Sequence, residues 1–277
     1  MKITNKPFFR ISALTLALTA LVSFHSCSDD EPAFVPTLPA DGGNVVKSIS
    51  RDGAIVNTAY DWKFNYDGPR LTYASGVIRD PDNQIDRSHN YNSSIKYGDR
   101  KVAVSNSTKE EIVITLNGVN QIEKMTVGKN TYDFLYKNGF LCAWQKTVFE
   151  DSFGQATQYK SSATITYENE DLKQIDFVGP DKVKVTTTFT PDVTRNYNGL
   201  LPETIANEFG CLGFEHLYYA GLFGKPTAHL VKSLSVNHPK DSTKCYTLDF
   251  TYFPEGNNIT LCNYYNSGKP VSVRYTY

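Results

Sequence analysis

Cys27 is the residue of this chain best placed to do chemistry. It closes a short apolar run and is followed at once by Ser28, Asp29, Asp30 and Glu31. Upstream stand Lys2, Lys6 and Arg10, then twelve mostly apolar residues from Ile11 to Val22, then Ser23, Phe24, His25 and Ser26. A run that short does not span a bilayer as a helix, and its basic front and small-residue exit are those of a cleaved export signal. A nucleophilic thiol at that exit is set for acylation. Residues 1–26 are therefore expected to be removed and Cys27 to carry lipid, which would tether the chain to a membrane.

Other reactive groups are present without the spacing that chemistry needs. No nucleophile elbow, phosphate-binding loop, dinucleotide fingerprint or HExxH pattern occurs. His89, His216, His229 and His238 are scattered, so neither a metal nor a cofactor is expected. Asp80 to Asp86 places oxygen side chains at alternate positions, as a calcium loop does. It lacks the mid-loop glycine and terminal glutamate, and reads as a solvated loop tip. Paired carboxylates for hydrolysis remain open, because their separation is set by the fold; no catalytic residue is assigned. Cys142, Cys211, Cys245 and Cys262 contain no CxxC pair. They are wide apart, three of them in strand-like runs, and read as buried free thiols. Asp241-Ser242-Thr243 resembles a short O-glycosylation acceptor on an exposed hairpin tip.

Aromatic side chains are the remaining handle. Tyr60, Trp62 and Tyr73, or Tyr264 and Tyr265, can form a stacking platform for sugars. Phe214, Tyr218, Tyr219 and Phe223 can line a cavity for an apolar ligand. Against both stands the plain expectation that large rings fill the core of any β domain.

Residues 1–31 resemble bacterial lipoprotein signals, in which the residue after cleavage is an acylated cysteine. Phe24 and His25 depart from the strict motif, and the acidic run after Cys27 is similar to an export tag for the outer face of the outer membrane. Without residues 1–26 the chain keeps 25 Lys+Arg against 29 Asp+Glu, a net charge of −4. That leaves no basic field for nucleic acid. Residues 27–44, with Pro32, Pro36, Pro39, Gly42 and Gly43, read as a tether. Residues 45–277 have the length of one large β domain, expected to be a monomer.

The elements that would position any site are strands. Eighteen Tyr and sixteen Phe against two Met favour them. Apolar and polar residues alternate at Trp62–Tyr66, Ile112–Leu116, Val183–Phe189, Leu248–Tyr252 and Val271–Tyr277. Turn pairs such as Asp67-Gly68, Asn117-Gly118, Asn138-Gly139 and Ser267-Gly268 separate the runs. The expectation is an all-β fold: fourteen to sixteen strands in a long antiparallel meander, curled into an open or closed barrel-like sheet. One segment breaks the pattern. Pro202 predicts a short helix over Glu203–Phe209 ended by Gly210. Residues 211–224 are apolar, aromatic and rich in glycine, so 200–224 is expected to plug a lumen that strand side chains alone would underfill.

Over residues 45–277 the chain resembles a family of Bacteroidetes lipoproteins of unknown function with a porin-like fold. The likeness rests on the Tyr-x-x-Gly hairpins, the Leu-Leu-Pro…Phe-Gly-Cys-Leu-Gly stretch with the following Tyr-Ala-Gly-Leu-Phe-Gly, and the late Val-Lys-Ser-Leu strand. It implies a barrel and carries over no catalytic residues. The function that fits these readings is a non-enzymatic, surface-exposed outer-membrane lipoprotein binding a small apolar or amphipathic ligand at Phe214, Tyr218, Tyr219 and Phe223. The alternatives are a glycan-binding or adhesion module and a carboxylate-dependent hydrolase.

Overall fold

The computed structural model describes residues 44–53, 61–79, 88–98, 100–107, 111–152 and 155–277. Cys27, the signal, the tether before Asn44, Tyr60 and the Asp80–Asp86 loop lie outside them. Seventeen strands follow in chain order. They are β1 (Ser48–Gly53), β2 (Asp61–Asp67), β3 (Arg70–Arg79), β4 (Ser88–Gly98), β5 (Lys101–Asn106), β6 (Glu111–Leu116), β7 (Ile122–Val127), β8 (Asn130–Lys137) and β9 (Phe140–Ser152). Then come β10 (Gln155–Glu168), β11 (Asp171–Val178), β12 (Lys184–Arg195), β13 (His229–Asn237), β14 (Tyr246–Asp249), β15 (Thr251–Glu255), β16 (Asn258–Asn266) and β17 (Lys269–Thr276). All pair antiparallel with their sequence neighbours, except that β14 and β15 do not pair with each other, and β1 bonds to β17 and to β2, so the meander forms a nearly closed barrel. The strand count exceeds the expected fourteen to sixteen because β14 and β15 are halves of one stave. They are interrupted only at Phe250; the first half pairs with β13 and the second with β16.

Period-two alternation sets which face each side chain takes. Trp62 and Phe64 are buried while Asp61, Lys63 and Asn65 are exposed; Val102 and Val104 are buried while Lys101, Ala103 and Ser105 are exposed. The same holds for Ile112 and Ile114 against Glu111 and Val113. The inner rows form one continuous core with the segment between β12 and β13. Tight turns take the positive φ that the sequence pairs supply, as at Asn138 (54°) and Gly139 (81°). Asn117-Gly118 departs from this: the Asn117 carboxamide accepts from the Val119 and Gln121 N–H groups in a wider turn, and Asn120 takes the positive φ.

The chain leaves the wall after Arg195 and returns at His229, and β12 and β13 still pair directly across the gap. The intervening residues enter the lumen. Leu200, Ile205, Phe209, Leu217, Leu222 and Phe223 are all buried there. The wall holds them by hydrogen bonds: Ile122 N–H donates to Leu222 O (2.9 Å), Lys225 N–H to Gly139 O (2.8 Å), and the Trp144 indole N–H to Glu208 O (2.8 Å).

The helix expected at Glu203–Phe209 does not form. Thr204, a β-branched residue, sits at φ 70°, and the Glu203 side chain is drawn outward to Arg51 on β1, so the first turn is broken. Only the end of that prediction survives. Phe209 N–H donates to Ile205 O, and Gly210 at φ 79° closes the turn with Cys211 N–H donating to Ala206 O. The helix lies further on, α1 (Glu215–Tyr219), ended in the same way at Gly221, φ 75°. Gly210 has a second reason to lack a side chain: a Cβ there would lie 2.8 Å from the Trp144 ring.

Candidate functional site

The four rings assigned to ligand binding divide into two pairs. Phe214 meets Tyr132 edge-on at 6.0 Å and Phe223 meets Phe134 edge-on at 5.3 Å, which locks both into the packed core. Tyr218 and Tyr219 instead border open space. Alternate hairpins share an end of the barrel, and the tight turns at 68–69, 138–139 and 169–170 define one rim. Beneath it lies a cavity of about 300 Å³, walled by Tyr66, Phe140, Tyr218, Tyr219 and Ala228, with Arg195, Lys225 and Glu170 around it. The Lys225 ammonium stands 5.5 Å over the Phe140 ring. Asn196 and Asn198 shape the floor: Asn196 exchanges hydrogen bonds with Leu200, and Asn198 ties the segment to Asn44 and Ile259.

A second cavity, of about 470 Å³, lies toward the opposite rim. Trp62, Leu201, Leu248, Tyr264 and the other side of Tyr219 wall it, and exposed Thr204, Asn207 and Tyr246 mark its mouth. Its polar lining is acidic. Arg51 grips Glu203 through two donors, Nε to Oε2 at 2.8 Å and Nη2 to Oε1 at 2.9 Å, and the Tyr275 hydroxyl donates to Oε1 at 3.1 Å. Burial opposes the Arg51 charge, but the Glu203 carboxylate outweighs that and holds the guanidinium above its ordinary value. Glu208 and Glu215 are raised by burial, Glu215 to about 7. The N–H groups of Glu215 and Gly213 offset part of that cost without completing hydrogen bonds of normal geometry.

His216, beside Glu215, is fully buried and 5.1 Å from the Trp62 ring centre. Its Nε2 shares a hydrogen bond with Ser93 Oγ at 3.2 Å, and burial pulls its pKa down to about 3, so it is a neutral core residue. His229 pairs with Asp171 at 2.9 Å and fastens the segment where it rejoins the wall. Among the described residues, no three of His, Cys, Asp or Glu converge as metal ligands would.

Two sequence expectations fail here. Tyr264 points into the lumen whereas Tyr265 is 69% exposed, because adjacent strand residues face opposite sides of the wall, and Trp62, 1% exposed, is turned inward and offers no outer face to a sugar. All four described cysteines are free and Cys211 and Cys262 are buried as expected, but Cys142 is half-buried and Cys245 is exposed. Cys245 precedes β14 rather than lying within it. The acidic cavity was missed altogether. Its local signal is Glu215, beside His216 in the mostly aromatic and apolar Phe214–Tyr219 run, a carboxyl group carried into the lumen by its neighbours.

Comparison with known proteins bears on the fold. The chain is similar to a porin-like protein from Bacteroides uniformis, with a TM-score of 0.64 and 18% identity over 83% of this chain and 97% of that one. A porin-like protein from Bacteroides vulgatus aligns over 85% of this chain and 99% of that one, with a TM-score of 0.47 and 12% identity. No family model matches the chain, and no curated protein matches it. The fold is thus a porin-like barrel.

Proposed function

We propose that this chain is a non-enzymatic lipoprotein of the Bacteroidetes porin-like kind, anchored through Cys27 at the outer membrane and displayed on the cell surface, whose plugged barrel binds a small amphipathic, lipid-like molecule. The observation that carries the reading is the cavity at the tight-turn rim. Tyr66, Phe140, Tyr218 and Tyr219 offer it aromatic walls, and Arg195 and Lys225 offer positive charge for a polar head. Its size falls at the lower end of small-molecule sites. The outer rows of the wall carry Asp61, Lys63, Lys101, Glu111 and Arg274, which favours anchoring by lipid over insertion of the barrel itself, whose outer face would need an apolar band.

The test is titration of the full chain with a fluorescent polyene fatty acid. Saturable binding is expected, with loss of at least tenfold in affinity on Ala228→Trp, which fills the cavity from its wall. Equal binding by that variant would refute the site.

A further inference from the structure

Three acidic side chains of the luminal segment, Glu203, Glu208 and Glu215, border the larger cavity. Arg51 neutralises Glu203. Among the described residues no cation pairs with the other two: Arg51, already engaged, stabilises the Glu215 charge only in part against Glu203, Asn207 and the Glu208 N–H offset part of the cost at Glu208, and Cys211 lies beside both carboxylates. Glu215 is only 5% exposed, yet neither of its carboxylate oxygens completes a hydrogen bond of normal geometry to a protein group, nor does buried Oε2 of Glu208. The indole N–H of Trp62, a residue 1% exposed on the same wall, is likewise without one. Folded proteins rarely leave buried polar groups unpaired, because each costs about 1–3 kcal/mol and a charge costs more. Such groups gathered around a cavity are complementary to positive charge, to an acceptor for an indole N–H, and to a body that suits aromatic walls.

We propose that this cavity binds an organic ammonium compound, its cationic head neutralising Glu208 and Glu215 and its body lying against Trp62, Tyr219 and Tyr264. Aromatic faces attract ammonium groups once water is excluded. A divalent metal fits less well, since among the described residues no three His, Cys, Asp or Glu side chains come together to hold one. A neutral sugar would accept the rings but leave the charge uncompensated. Hydrolysis wants two carboxyl groups pushed apart in pKa, and burial here raises both. Because Glu215 ionises near pH 7, a cation should bind about tenfold more tightly at pH 8 than at pH 6.

The experiment is calorimetric titration of the full chain with choline, putrescine, glucose and 3,3-dimethylbutan-1-ol, the neutral isostere of choline. Choline or putrescine is expected to bind at least tenfold more tightly than the neutral alcohol and glucose. Preference for choline would identify a quaternary site and preference for putrescine a primary-amine site. Glu215→Gln and Glu208→Gln should each cost tenfold or more; the second residue is half-buried, so its variant remains informative if the first disturbs folding. The two cavities share the Tyr219 ring, but Ala228 lines only the amphiphile cavity, so Ala228→Trp should leave amine binding unchanged. Equal affinity for amine and neutral alcohol, preference for glucose, no amine binding at millimolar concentration, or unaltered binding by both glutamine variants would overturn the proposal.

Discussion

Replacing Glu215 with glutamine should make the barrel more stable, and only at neutral to alkaline pH. The carboxyl group has an ordinary value of 4.5 and is raised to about 7 in the folded protein. Between those values the native state holds a proton that the unfolded chain has released, so stability falls as pH rises through this window and stays low above it. The whole interval corresponds to about 3 kcal/mol. His216 works in the opposite sense: its value drops from 6.5 to about 3, so the unfolded chain takes up the extra proton and stability is lost as pH falls below 6.5. From about pH 4.5 to 6.5 the two slopes cancel, which hides both in the wild type. Glu215→Gln removes one and leaves the other. Urea unfolding of wild type and variant at pH 5 and pH 8 measures the effect. The stability difference between them should shift toward the variant by about 3 kcal/mol across that range, and the double difference cancels the cost of burying the new amide. A shift below 1 kcal/mol would show that Glu215 is solvated or paired in solution and would remove the electrostatic basis for the acidic cavity.

Phe223→Ala should cost about 3–5 kcal/mol in a urea melt, because the ring is fully buried against Phe134 and Phe209; a loss under 1 kcal/mol would mean that the luminal segment is not packed. Arg51→Met should cost about 3–5 kcal/mol by stranding Glu203, and Arg51→Met with Glu203→Gln should recover most of it. Additive losses in that pair would place the two charges apart. Gly224→Ala should lower the melting temperature, since its φ is 86° and a Cβ would lie 2.5 Å from Gly139 O; an unchanged melt would mean that this contact is relaxed in solution. Fatty-acid labelling of cells should mark the wild type and spare Cys27→Ala, and equal labelling of both would remove the lipid anchor.

Local patterning made the staves legible. The alternation at Trp62–Tyr66 and Val271–Tyr277 marks β2 and β17 directly, and the glycine-rich apolar run of 211–224 marks a segment that neither water nor a strand can take. Contacts between residues far apart in sequence did not show. Arg51 and Glu203 are 152 positions apart, and their ion pair, with Thr204 forced to positive φ, breaks the helix that Pro202 and Glu203 imply. A sugar platform was legible in Trp62 and in Tyr264-Tyr265 only because composition does not say which side of the wall a ring takes. Register does, and it puts Trp62 and Tyr264 inside.

The likeness to the porin-like protein from Bacteroides uniformis is one of fold. Joining β14 and β15 into one stave gives a wall of sixteen, a number that leaves a water-filled channel when the inner rows are polar and the lumen is empty. Both conditions are reversed here. The inner rows are apolar, and the 33 residues between Arg195 and His229 occupy the lumen. An apolar interior is the arrangement of a barrel that packs its own core, so burial of the luminal segment contributes directly to its stability. Filling a cylinder this wide with one excursion of chain leaves gaps at its two ends, and Tyr219 forms a wall of each. The two cavities therefore follow from how the lumen is filled: one faces the tight turns with aromatic walls beside Arg195 and Lys225, and the other faces the opposite rim with aromatic walls beside Glu208 and Glu215.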